Sequence, residues 1–175
     1  DVVAGSWYFD AALYASSHNL MLGTSPTEFS PNITMTRGML VTVLYRMNGS
    51  PSVSGKTPFT DVRTDEWYSA AVLWAYQNGI VTTFDPINNV TREQMATILF
   101  RYTKTAAPDK AKASADLSGF ADAGSVNDWA VDAMRWAVGQ KLIAGITLEQ
   151  SVYLQPRGNA TRAQAATVLT RYYAQ

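Results

Sequence analysis

The chain contains no cysteine. Disulfides, thiolate metal sites and cysteine nucleophiles are therefore excluded together, and no redox compartment is indicated. Histidine occurs once, as His18. With one imidazole and no thiol the usual zinc ligand sets cannot be assembled, so a partly exposed surface residue is expected there. Neither sign of charge is in excess, with 14 Lys+Arg against 14 Asp+Glu. That balance argues against nucleic acid, whose recognition calls for a basic patch or stripe. No apolar run approaches the roughly 20 residues of a membrane span, and no signal peptide is expected within the 175 residues. A mature form or an excised fragment would both begin this way. The remaining composition is that of a soluble globular chain: 175 residues, 47% of them hydrophobic, enough for one or two cores.

What is present is a repeat, and repeats decide fold class. The segments TMTRGMLVTVLYRM (34–47), NVTREQMATILFRY (89–102) and NATRAQAATVLTRY (159–172) align without gaps. Met95, Ile98, Leu99 and Tyr102 fall at i, i+3, i+4 and i+7, the stripe of an amphipathic helix. Leu40, Val43, Leu44 and Met47 repeat it, as do Ala165, Val168, Leu169 and Tyr172. Ahead of each segment stands a large apolar residue with proline two later: FSP, FDP and LQP. An upstream block also recurs, beginning at Trp7, Trp67 and Trp129. In it Trp, Ala, an aromatic and Ala alternate on what reads as one helix face starting at the tryptophan. The lead-ins FTDV at 59 and FADA at 120 precede the second and third blocks. Asp1-Val2 takes the equivalent place in the first, which is expected to be trimmed at a repeat edge.

The expected organisation is repeat 1 over 1–47, a linker at 48–58, repeat 2 over 59–102, a linker at 103–119 and repeat 3 over 120–175. Two helices cannot bury their apolar faces alone, so three helix-loop-helix units are expected to pool one core in a single, mainly all-α domain. A pseudo-threefold arrangement around a central three-helix bundle is the leading architecture, and an open solenoid is the alternative.

One residue type sits in an unfavourable place. Thr91 with Gln94 three residues on forms a capping-box signature, which makes Arg92 the first helical residue. Arg37 and Arg162 occupy the same position. A helix start carries partial positive charge and favours acidic residues. In a structural reading, each arginine stacks on an aromatic or pairs with a carboxylate of its own unit, with the lead-in Asp1, Asp61 and Asp122 as partners. In a functional reading, the arginine and free backbone N–H groups converge on an anion such as a carboxylate or phosphate. Trp7, Trp67 and Trp129 are similarly divided between core positions and platforms for a sugar. The second arginines, Arg46, Arg101 and Arg171, lie in last helical turns, where a cation suits the dipole, and read as structural.

Taken together, FxDV, Trp-Tyr-x-x-Ala-Val, Phe-x-Pro and Thr-Arg-x-Gln-x-Ala-x-x-Leu-x-Arg-Tyr resemble the S-layer homology domain in three tandem copies. The resemblance covers essentially the whole chain. TREQ and TRAQ stand for the family's usual TRAE, whereas the first unit has TRGM. It implies a pseudo-threefold domain at the bacterial cell surface; the chain is expected to be a monomer without catalysis, cofactor or metal. Its ligand would be a secondary cell-wall polysaccharide, commonly one with pyruvate ketals on N-acetylmannosamine, held in grooves between units. Arg37, Arg92 and Arg162 would grip the carboxylate, with Asp1, Asp61, Asp122, Trp7, Trp67 and Trp129 as groove neighbours. The second unit has only VTTF where relatives carry a glycine-containing loop, so three equivalent grooves are not expected.

Three rival readings are weighed against this one. A glycosidase would need paired carboxylates, yet the aspartates recur once per unit, which suits multivalent binding better. A helical-repeat protein-binding module would show a near-constant period, and here the middle loops differ. Modified peptidoglycan is the alternative wall ligand. The sequons at Asn32, Asn89 and Asn159 read as incidental.

Overall fold

The computed structural model describes residues 1–112 and 114–174. The chain is mainly helical, as expected, and forms two compact units, Asp1–Val90 with Ala160–Gln175, and Thr91–Asn159.

The first unit holds α1 (Phe9–Ser17), α2 (Arg37–Met47), α3 (Ser69–Gln77) and α6 (Arg162–Tyr173). α1 packs on α6 and α2 on α3. Leu40, Val41 and Leu44 of α2 are fully buried, as are Val72 and Ala75 of α3 and Leu169 of α6. The third repeat's helix thus packs on the first repeat's helix. In a nearest-neighbour stack those two repeats would not meet.

Short backbone bonds tie this unit together. Met35 N–H donates to the Ala160 carbonyl at 2.8 Å, Ala160 N–H to Val90 at 2.9 Å, and Val90 N–H to Met35 at 2.8 Å. Each of these residues directly precedes a capping threonine, and all three are completely buried. Buried amides and carbonyls need partners, and here they satisfy one another in a closed ring.

The second unit holds α4 (Arg92–Ala106), α5 (Val131–Gly139) and an antiparallel hairpin of β1 (Ile146–Leu148) and β2 (Ser151–Tyr153). α4 packs on α5 through Met95, Leu99, Met134 and Trp136, all essentially buried. α4 runs four residues into the stretch expected as a linker, and Pro108–Lys112 forms a 3₁₀ turn. Trp136 Nε1 donates to the Lys110 carbonyl at 2.9 Å, and Leu117 is buried. Linker-like composition therefore does not keep Lys110 and Leu117 from packing on the unit.

The first helices begin later than the apolar period suggests, at Phe9, Ser69 and Val131. None has a side-chain N-cap. Instead the chain enters through a tight turn closed by Phe9 N–H to Ser6, Ser69 N–H to Glu66 and Ala130 N–H to Asn127. Their ends are alike. Asn19, Gly79 and Lys141 take left-handed φ of 54°, 67° and 58°. The next residues, Leu20, Ile80 and Leu142, send their N–H groups back to Ala15, Ala75 and Ala137. This is the Schellman pattern, and it drives an apolar residue into the core immediately after each helix.

Candidate functional site

The three Thr-Arg helix starts explain their arginines. Thr91 and Thr161 make full capping boxes with Gln94 and Gln164. Thr36 caps only the Met39 amide, as the missing glutamine of TRGM implies. The next two amides are taken as well. Arg37, Arg92 and Arg162 N–H groups donate to Asn88, Gly158 and Ile33, while those of Gly38, Glu93 and Ala163 donate to the carbonyls of Pro86, Pro156 and Pro31. The free amides of the functional reading are therefore absent at these positions: the Phe/Leu-x-Pro loops occupy them. Gly38 is where the loop comes closest, since a Cβ there would lie 2.9 Å from the Pro86 carbonyl oxygen and 3.4 Å from the Tyr68 ring.

The guanidiniums clasp the same loops. Arg162 Nε donates to the Phe29 carbonyl at 2.8 Å and its Nη2 to Leu22 at 2.7 Å, with its carbon 4.8 Å from the Phe29 ring centroid. In the second unit, Arg92 Nε donates to Leu154 at 2.7 Å and Nη2 to Ala144 at 3.0 Å. Arg37 Nη2 donates to Thr83 at 3.0 Å and lies over the Phe84 ring. An arginine tolerates the helix start because carbonyl dipoles surround its charge. For Arg162 and Arg37 the ring beneath the guanidinium belongs to another repeat's Phe-x-Pro, not to their own repeat.

The lead-in aspartates meet these arginines through a peptide group, not directly. Asp1 accepts the Phe29 and Ser30 amides at 2.8 and 2.5 Å, and Asp122 accepts those of Leu154 and Gln155, both at 2.7 Å. Phe29 and Leu154 thus give their N–H to an aspartate and their C=O to an arginine. The carboxylate also holds the next residue in its left-handed conformation, at φ 55° for Ser30 and 50° for Gln155. Asp61 is exposed and takes no such pair of amides among the described residues. Burial lowers the Arg92 and Arg162 pKa values by desolvation; Asp122 partly offsets this for Arg92.

The tryptophans are not core residues. Trp7, Trp67 and Trp129 are 67%, 58% and 53% exposed, because each lies in the entry turn before its helix. In the first unit Trp67 and Arg162 line one groove of about 260 Å³. Its floor is apolar, with Met21, Met35 and Val43, and the loop Leu22–Thr24 forms one wall. Gly23 is required in that wall, since a Cβ would lie 2.6 Å from the carbonyl oxygens of Ser25 and Glu28.

This chain matches the family model of the S-layer homology domain over residues 1–38, 58–96 and 119–166. The chain belongs to the S-layer homology family. Curated relatives agree over nearly its full length. An endoglucanase of Bacillus sp. (strain KSM-635) is 32% identical, with 97% of this chain and 18% of that protein aligned. A surface-layer 125 kDa protein of Lysinibacillus sphaericus is 30% identical, covering 85% of this chain and 12% of the relative. An amylopullulanase of Thermoanaerobacterium thermosulfurigenes is 28% identical, covering 95% and 9%. The chain therefore spans under a fifth of the length of these relatives. Family membership carries anchoring to the cell wall, through its polysaccharide, and a cell-surface location.

Within this S-layer homology chain, Arg46 is the groove residue that sequence reasoning passed over. Its place in the last turn of α2 satisfied a dipole argument, yet it lines the groove with Trp67 and Arg162. Burial lowers its pKa by desolvation. Arg46 and Arg162 lie more than a hundred residues apart, so no local pattern links them. His18 stacks on Tyr14 at 3.9 Å on the surface, as expected. Among the described residues there is no cluster of acidic or histidine side chains able to hold a metal, and no helix is long and apolar enough to cross a membrane.

Proposed function

We propose that this domain tethers an attached protein to the wall by binding an anionic, pyruvylated secondary cell-wall polysaccharide in the Arg162–Trp67 groove. One observation carries the proposal: an arginine and an exposed tryptophan face a common groove with no carboxylate among its lining residues. Two of the five Arg162 N–H donors are committed to carbonyls, and the residue still lines the groove. The tryptophan face suits the C–H surface of a sugar, and the methionine floor suits an apolar substituent such as a ketal methyl. Arg37, Arg92, Trp7 and Trp129 are proposed for the same role in their own repeats, in a monomer arranged with pseudo-threefold symmetry. Asp1 and Asp122 would act indirectly, by holding the loops the arginines clasp.

The test is co-sedimentation of the domain with sacculi of its own bacterium, native or stripped of secondary polymer by mild acid. Trp67→Ala is the main variant, because that side chain is exposed and its loss should leave folding intact; Arg162→Lys runs beside it. Native-wall binding that is lost on stripping and reduced by Trp67→Ala is the expected result. Retention on stripped sacculi would instead assign modified peptidoglycan as the ligand, and indifference to both variants would remove the groove from the reading.

A further inference from the structure

We propose that Arg46 is a second anion grip in the same groove, so that the preferred ligand is a stretch of wall sugar carrying two negative charges on one residue or on adjoining ones. This rests on the reading of the groove given above and deepens it. Arg46 comes from the last turn of α2 and Arg162 from the start of α6, so two arginines line the cleft from different helices. Apolar side chains, including Met39 and Val43, line the same cleft. No aspartate or glutamate lines the cleft.

The electrostatics are one-sided. Arg162 is 4% exposed and Arg46 is half-buried. In both, burial alone pulls the pKa down, with no carboxylate offsetting it. Partly desolvated charges are costly unless paired. The surrounding carbonyls ease the burden on Arg162; among the described residues no such carbonyl clasp is seen at Arg46. An entering dianion would compensate both cations at once, whereas a single carboxylate would answer only one. The groove volume of about 260 Å³ lies below the range that holds a drug-sized ligand, so both charges must be carried close together.

The experiment measures affinity for wall polymer released by mild acid from the domain's own bacterium, across a salt series, for the unaltered domain, Arg46→Gln, Arg46→Lys and Trp67→Ala. Arg46→Gln should weaken low-salt binding by about tenfold, the scale of losing one charged hydrogen bond, and should flatten the salt dependence by about one ion contact. Arg46→Lys should restore the slope. Trp67→Ala should weaken binding with its slope unchanged. The melting temperature of Arg46→Gln without polymer should equal or exceed that of the unaltered domain, since an uncompensated cation has gone.

Unchanged affinity and slope in Arg46→Gln, with binding still lost in Trp67→Ala, would overturn the second grip and leave the groove standing. A lowered melting temperature that Arg46→Lys does not repair would overturn it too, by making the residue structural. Failure of the unaltered domain to bind the polymer would overturn both readings.

Discussion

Arg37 and Arg162 open the same motif in the same compact unit, yet their surroundings differ. Arg162 is buried, holds two carbonyls, and faces a Phe29 peptide whose amide is fixed by Asp1. Arg37 is half-buried and reaches Thr83 in a loop of three residues between Ile80 and Phe84. There Asp85 sits at φ 148° where Ser30 has 55°, and Asp61 stands exposed. The motif is thus shared, while an aspartate holding the clasped peptide is seen, among the described residues, at Arg162 and Arg92. In the second unit Arg92 has the same kind of partners as Arg162, supplied by the longer segment that carries the hairpin.

The largest contrast should come from the arginines themselves. Arg162→Ala leaves the Phe29 and Leu22 carbonyls without their charged donor, and should cost about 3 kcal/mol in denaturant unfolding. Arg37→Ala should cost about 1 kcal/mol. Equal losses would mean that the loop difference has no energetic meaning. Next come the aspartates. Asp1→Ala should lose about 2 kcal/mol, since two amides lose a charged acceptor, while Asp61→Ala should leave the unfolding midpoint nearly in place. A large loss at Asp61 would show that the second repeat closes its loop after all.

Gly38 sharpens the comparison further. Alanine improves helix propensity by roughly 1 kcal/mol, but the Pro86 carbonyl stands in the way, so Gly38→Ala should be net destabilising by about 1 kcal/mol. The converse change in α6, Ala163→Gly, should also destabilise, by about 1 kcal/mol; a gain from either would contradict the packing described. The smallest effect is Met39→Gln, which supplies the missing half of the α2 capping box and should add about 0.5 kcal/mol. A nuclear magnetic resonance shift of the Thr36 amide would report whether that bond forms.

Much of this was legible because it is local. The caps at Thr91 and Thr161 involve residues three apart, and the helix stripes involve one turn. The repeat also showed that the three arginines form one class. What was not legible depends on distance along the chain. Asp1 and Phe29 are 28 residues apart and Asp122 and Leu154 are 32, so nothing nearby revealed that the aspartates hold amides. The tryptophans misled because apolar spacing continues upstream of the true helix starts, where the backbone turns and points them outward. The strands β1 and β2, three residues each, are too short for a period to declare itself. Arg46 was hidden by a sufficient local explanation, which did not exclude a second use.

The ring of Met35, Val90 and Ala160 has an arithmetical consequence. Each member gives one hydrogen bond and receives one, and the last returns to the first. A chain cut to two repeats would strand one amide and one carbonyl in a dry interior. A fourth repeat would find neither left to join. Copy number in this domain is therefore a property of the backbone: evolution can alter loops, grooves and ligands one repeat at a time, but it cannot change the count by small steps.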